Sequence, residues 1–259
     1  MNIELCGATC NVACAGPDNG PPLILVHGAA NDRDAWRDVS PALAAAGLRV
    51  LAPDLPGHGM SRGQAPASIA AIADWLLAFA DAMQLERFAI AGHSMGSLAA
   101  LAVAARAGKR VTHLLLLGSA VPMPVSAQLL DSARNEPDAA CRMVASWSHT
   151  PGFFLNGGGG HGVWGVGKTL AVMRRNSTTL AGDLANCNRY EDGLSAAAAV
   201  ACPTLLLLGR RDRMTPPRAA QPLQEALRHA SRKEIADCGH AMMTEKPREV
   251  AAAMIEFLK

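Results

Sequence analysis

Short, continuous apolar runs punctuate the chain at Leu23 to Val26, Leu48 to Ala52, Phe88 to Ala91, His113 to Leu117 and Thr204 to Leu208. Runs this short and without polar alternation predict strands covered on both faces. Between most of them, Asp34 to Ala46, Ala67 to Met83 and Met95 to Ala107 read as helices. Strands alternating with helices imply parallel strands joined by right-handed crossovers, with helices packed on both sheet faces. The predicted class is therefore α/β, with a mostly parallel central sheet. Ahead of the first run, Cys6, Cys10 and Cys14 have helical spacing, but Gly7, Thr9, Val12 and the turn from Gly16 to Gly20 favour a β-hairpin. A last strand is expected around Lys233 to Ala236, followed by an amphipathic terminal helix over Glu245 to Leu258.

The alternation breaks between about Ser119 and Val200, where prolines, the glycine run Gly157 to Gly160 and scattered aromatics replace buried-strand runs. A helical lid over 119–200 is expected, inserted after the sixth strand into a core made of 1–118 and 201–259. In open sheets of this kind the ligand crevice lies at the carboxyl ends of the strands. Functional residues are therefore sought just after the apolar runs.

Composition narrows the classes of function. The chain has 259 residues, half of them hydrophobic and 18% charged, which suits one well-covered globular core and excludes a disordered or fibrous chain. A formal charge of +2 without a basic cluster gives no footprint for nucleic acid, so a small-molecule partner is expected. The opening Met1 to Cys6 lacks the charged start and apolar stretch of a secretion signal, which predicts a cytoplasmic protein. The most apolar stretch, Phe88 to Ala107, is interrupted by His93, Ser94 and glycines, so no membrane span is expected. The seven cysteines show no CxxC pair or zinc-type spacing and read as reduced thiols; no metal site is expected.

Gly92-His93-Ser94-Met95-Gly96 follows one strand run and precedes a helix, the context of a nucleophile elbow. Ser94 would be the nucleophile, and the Met95 N–H, at the helix start, would face a developing oxyanion. His27-Gly28-Ala29-Ala30 follows a neighbouring strand and would supply a second donor, Ala29, with Ala30 as the alternative. A serine hydroxyl needs a base, and the base needs an orienting group. Of eight histidines, His240 has the strongest case, lying between the last strand and the terminal helix. Asp212, after the leucine run 205–208, would orient it; Asp54 reads as part of a fixed turn, and Asp237 lies too close in sequence to His240.

The motifs HGAAND, DLPGHGMS, GHSMGS, GRRDRMTPP and CGHAMM, in this order along nearly the whole chain, resemble the α/β-hydrolase family. That resemblance implies the α/β-hydrolase fold and a reaction in which Ser94 attacks an acyl carbon, followed by hydrolysis of the acyl-enzyme by water activated by His240. No metal or organic cofactor is implied. Trp147, Phe153, Phe154, Trp164, Met143 and Met173 would give the pocket an apolar part; the substrate-binding candidates are Ala30, Trp147, Phe153, Trp164 and Met242. Arg174 and Arg175 could hold a carboxylate. The leading expectation is hydrolysis of a small or medium carboxylic ester, with carbon–carbon bond hydrolysis, lactonase, thioesterase or perhydrolase chemistry, or a non-catalytic ligand receptor, as alternatives. Gly162 to Thr169 matches the phosphate-loop pattern, but no buried strand precedes it, so nucleotide binding is not expected.

Overall fold

The computed structural model describes residues 1–155 and 164–259, except the side chains of 154 and 155. The sequence begins with the expected hairpin, β1 (Asn2–Leu5) and β2 (Ala8–Ala15). Cys6 and Gly7 both have positive φ, the twist that a two-residue hairpin turn requires. The remaining strands are β3 (Pro22–Val26), β4 (Arg49–Pro53), β5 (Phe88–His93), β6 (Val111–Leu117), β7 (Thr204–Gly209) and β8 (Ala230–Ile235). They form one sheet in the order β1-β2-β4-β3-β5-β6-β7-β8, antiparallel as far as the β2–β4 pair and parallel from there on.

The helices of the core are α1 (Ser40–Ala45), α2 (Ile69–Ala82) and α3 (Met95–Ala107). Alternate residues of each central strand feed two different cores. Ile24, Val26, Leu114 and Leu116 pack with α2 and α3, whereas Leu23, Leu25, Leu115 and Leu117 pack on the opposite face. This double coverage is why the strands read as unbroken apolar runs. The edge strand β8 carries Ser231, Arg232 and Lys233 exposed, so it starts earlier than expected and had no apolar run to mark it.

Prolines correct two of the expected helices. Asp34 to Ala46 divides into a 3-10 turn, Arg33–Trp36, and α1, because Pro41 has no N–H to continue a helix and fits only in its first turn. The terminal segment likewise divides, and Lys246, preceding Pro247, leaves helical geometry at φ −137°, ψ 52°.

Between β6 and β7 the chain forms α4 (Ala127–Asn135), α5 (Pro137–Ser148), α6 (Pro151–Leu155), α7 (Gly165–Arg175), α8 (Leu180–Asn188) and α9 (Gly193–Ala199). Of these, α7 begins within the phosphate-loop match and ends at Arg175. This excursion has a core of its own, including Leu129, Val144, Leu170, Met173 and Leu184, which closes over Ala30 of the sheet domain. After β7 come α10 (Gln221–Ala226), α11 (Met242–Glu245) and α12 (Pro247–Leu258), the last packed on α1. Among the described residues, no helix is long and apolar enough to cross a membrane. The cysteines are unpaired, four of them buried, and burial pushes the Cys10 thiol up to about 11.

Candidate active site

Ser94 sits between β5 and α3 at φ 53°, ψ −122°, a conformation that a residue with a Cβ adopts only when its surroundings enforce it. The enforcement is local. The Ser94 N–H donates to the Leu117 carbonyl at 3.0 Å, and the Ser97 hydroxyl donates to the Ser94 carbonyl at 2.5 Å. A Cβ at Gly92 would strike the Gly96 carbonyl, and one at Gly96 would strike the carbonyls of Val26 and His27. The elbow can therefore close only with glycine at both positions.

Asp212 follows β7, and its two oxygens are fully engaged. Oδ1 accepts the Met214 and Thr215 N–H groups at 2.8 and 2.9 Å, while Oδ2 accepts the Thr215 hydroxyl at 2.8 Å and His240 Nδ1–H at 2.7 Å. Burial opposes its charge, but the His240 imidazole and the Thr215 donors outweigh burial and hold the carboxyl below its usual range. With Nδ1 donating to a carboxylate, Nε2 of neutral His240 is left as the acceptor. The imidazole stands against Gly118, where a Cβ would lie 3.1 Å from Nδ1. His93 Nε2 donates to the His240 carbonyl at 2.9 Å, and the Ala241 N–H is held by the Ser148 carbonyl at 2.8 Å. Burial, followed by the nearby His240, lowers His93 to about 3, so it stays neutral.

Ser94, His240 and Ala29 line one cavity of about 290 Å³. Helices α4, α5, α7 and α8 contribute a largely apolar wall through Leu129, Val144, Trp147, Val172, Met173 and Leu184, while Asn31, Lys168 and Arg213 add polar groups. The Met95 N–H opens α3, where the first turn's N–H groups have no intrahelical acceptor.

Several expected site residues lie elsewhere. Ala30 is fully buried, and its N–H is consumed by Asp183 Oδ2 at 2.9 Å, so it is neither an oxyanion donor nor a cavity wall. Met242 is fully buried in the core beneath, and its neighbours Ala241 and Met243 reach the cavity instead. Phe153 stacks on His149 with ring centroids 5.1 Å apart, away from the cavity lining. Trp164 is 57% exposed, lying over Gly167. Arg174 pairs with Asp138, and Arg175 with Asp32 and Asp34, so neither is available for a substrate carboxylate. Trp147, Met143 and Met173 pack where expected, Trp147 and Met173 on the cavity itself. The side chain of Phe154 and the run Gly157 to Gly160 lie outside the described residues.

Of the competing carboxylates, Asp237 pairs with Arg211 at the surface, and Asp54 braces its turn by accepting the Arg33 and Met60 N–H groups. Within the phosphate-loop match, Gly162 and Val163 are outside the described residues; Lys168 pairs with Asp38, and the Thr169 hydroxyl lies 3.3 Å from His149 Nε2. Sequence reasoning passed over Thr215, His58 and Asp183. The last had a readable signal, since Leu180, Asp183, Leu184 and Cys187 share one buried face of α8.

Comparison with known proteins places these features. The chain is 30% identical, across an alignment of 278 positions that covers 92% of its length and 87% of the relative's, to 2-hydroxymuconate semialdehyde hydrolase of Pseudomonas sp. strain CF600. It is 27% identical to pimeloyl-[acyl-carrier protein] methyl ester esterase of Aromatoleum aromaticum, covering 93% and 99% of the two chains. A shorter match, 42% over 106 residues, takes in only 28% of the dihydrolipoyllysine-residue acetyltransferase component of the acetoin cleaving system of Pseudomonas putida. Among solved structures, a thermophilic esterase from Thermogutta terrifontis superposes with a TM-score of 0.86 at 24% identity, covering 100% and 97% of the chains, a likeness of fold. The alpha/beta hydrolase family model matches residues 23–253, which take in the parallel strands from β3 to β8, the elbow and the His240 loop, and the chain belongs to that family.

Proposed function

We propose that the protein is a serine hydrolase of small or medium carboxylic esters, with Ser94 as nucleophile, His240 as general base and Asp212 as its orienting carboxylate. The observation that carries this reading is the saturated Asp212 carboxylate on Nδ1 of His240, whose imidazole lines the same cavity as the strained Ser94. His240 Nε2 takes the hydroxyl proton as Ser94 Oγ bonds to the ester carbon. The N–H groups of Ala29 and Met95 receive the oxyanion, and the alcohol leaves with the proton from His240. Water, activated by the same imidazole, then releases the acid and restores Ser94.

The helices of 119–200 act as a lid that supplies the apolar wall for the acyl or alcohol group. The methyl ester esterase relative supports ester chemistry. The semialdehyde hydrolase relative makes carbon–carbon bond hydrolysis the second reading.

The test is hydrolysis of p-nitrophenyl esters from acetate to decanoate by wild type and Ser94→Ala, with the acyl-enzyme followed by intact mass. The expected outcome is turnover by wild type and a loss in Ser94→Ala of about 10⁴-fold or more. A wild type that turns over none of the series overturns simple esterase action in favour of the carbon–carbon reading or a receptor.

A further inference from the structure

The loop that follows β3 has an unusual requirement. The Asn31 N–H bonds to the Gly28 carbonyl at 3.2 Å, closing a turn whose third residue, Ala30, has φ 48°. Turns with positive φ at that position normally place glycine there, because a Cβ resists the left-handed region. Ala30 is also fully buried, so its N–H needs a partner inside the protein.

The partner comes from far along the chain. Asp183, on α8 and 1% exposed, accepts the Ala30 N–H at 2.9 Å with Oδ2. The same oxygen accepts His58 Nε2–H at 2.9 Å and lies 3.2 Å from the Thr179 hydroxyl. His58 Nδ1 faces the Pro56 carbonyl at 2.9 Å. Both ring nitrogens therefore face groups that only accept, so His58 is an imidazolium and Asp183 its buried counter-ion. In a turn of this kind the peptide between Ala29 and Ala30 can flip; flipping it would aim the Ala29 carbonyl at the Asp183 carboxylate.

We propose that Asp183 is a positioning residue for the oxyanion loop: by accepting the Ala30 N–H it locks this peptide and holds the adjacent Ala29 N–H on the carbonyl that Ser94 attacks. The proposal rests on Ser94 being the nucleophile. It makes a helix of the excursion part of the transition-state apparatus, without touching substrate.

The test uses three variants, assayed on the preferred p-nitrophenyl ester and normalised to active sites titrated with a fluorophosphonate. Asp183→Asn keeps an acceptor for Ala30 and should retain kcat within about threefold. Asp183→Ala combined with His58→Leu removes the acceptor without leaving a buried unpaired cation. It should lose about 10- to 100-fold in kcat, below the 10²- to 10³-fold typical of deleting an oxyanion donor itself, with KM within about twofold. Adding Ala30→Gly, which adopts positive φ freely, should recover at least about fivefold. A purely structural role would lower the melting temperature or the titratable fraction and leave kcat per site unchanged. Wild-type kcat per site in the double variant, or a loss that Ala30→Gly does not relieve, would overturn the proposal alone. Hydrolysis that survives Ser94→Ala would instead overturn the reading beneath it.

Discussion

Ser94 is held where its backbone is strained, and strain of this kind costs about 1–3 kcal/mol. Glycine would relax it. Ser94→Gly should therefore exceed Ser94→Ala in stability by about 1 kcal/mol, measured by urea denaturation, with hydrolysis abolished in both. Asp212 has no spare acceptor position on the face it offers His240, so its amide would present a donor or the wrong tautomer to the ring. Asp212→Asn should lower kcat by about 10³- to 10⁴-fold with KM little changed. Ser94 was legible because the elbow's sterics admit only glycine at 92 and 96, a requirement written in the chain. Phe153 and Trp164 were not, because an aromatic residue declares apolar area and says nothing of the direction it faces.

At the scale of elements, the strand-end loops carry histidines in opposite states. His27, after β3, is lowered to about 4 by burial and by the adjacent His58, and it uses Nδ1–H for the Gly28 carbonyl and Nε2 for the Leu55 N–H. His93 is lowered to about 3. Burial alone would lower His58, but its bond to Asp183 and that residue's charge raise it. A base with a depressed folded pKa loses stability as pH falls below its unfolded value, because only the unfolded chain takes the proton. One with a raised pKa contributes fully below its unfolded value and loses that contribution as pH rises through the folded one. The urea midpoint should therefore fall from about pH 6.5 toward pH 4 and decline again on the alkaline side. His93→Gln should flatten the acid limb, and His58→Gln the alkaline one. The parallel strands were legible because burial on both faces leaves them uniformly apolar. The helix breaks at Pro41 and Pro247 were legible too, had the missing N–H been given its weight.

Across the whole molecule, the excursion is pinned to the sheet domain on both sides of the cavity. Arg175 and Asn176 hold Asp32, and Asp183 holds Ala30, on one side; the Ser148 carbonyl and Glu245 with Thr150 bind the His240 side. The cavity wall between these pins should act as a ruler for the substrate. Val172→Phe should reduce kcat/KM for decanoate by at least about tenfold and leave acetate within about threefold, read from the same ester series. None of these pins was legible, since each joins residues whose separation in sequence exceeds 90 and whose meeting depends on the packed fold.

The two cores on either side of the sheet have a consequence for its assembly. Leu114 to Leu117 and Leu205 to Leu207 offer leucine to both faces, so a strand slipped by one residue would still bury leucine on each side. Hydrophobicity cannot choose the alignment here, unlike a sheet with one wet face. The choice falls to groups at the strand ends: the Ser94 N–H on Leu117, the Gly118 N–H on Leu207 and the Arg211 N–H on Cys238. The same short loops that present Ser94, Asp212 and His240 thus act as alignment marks, and the backbone that carries the candidate chemistry also sets the register of the sheet.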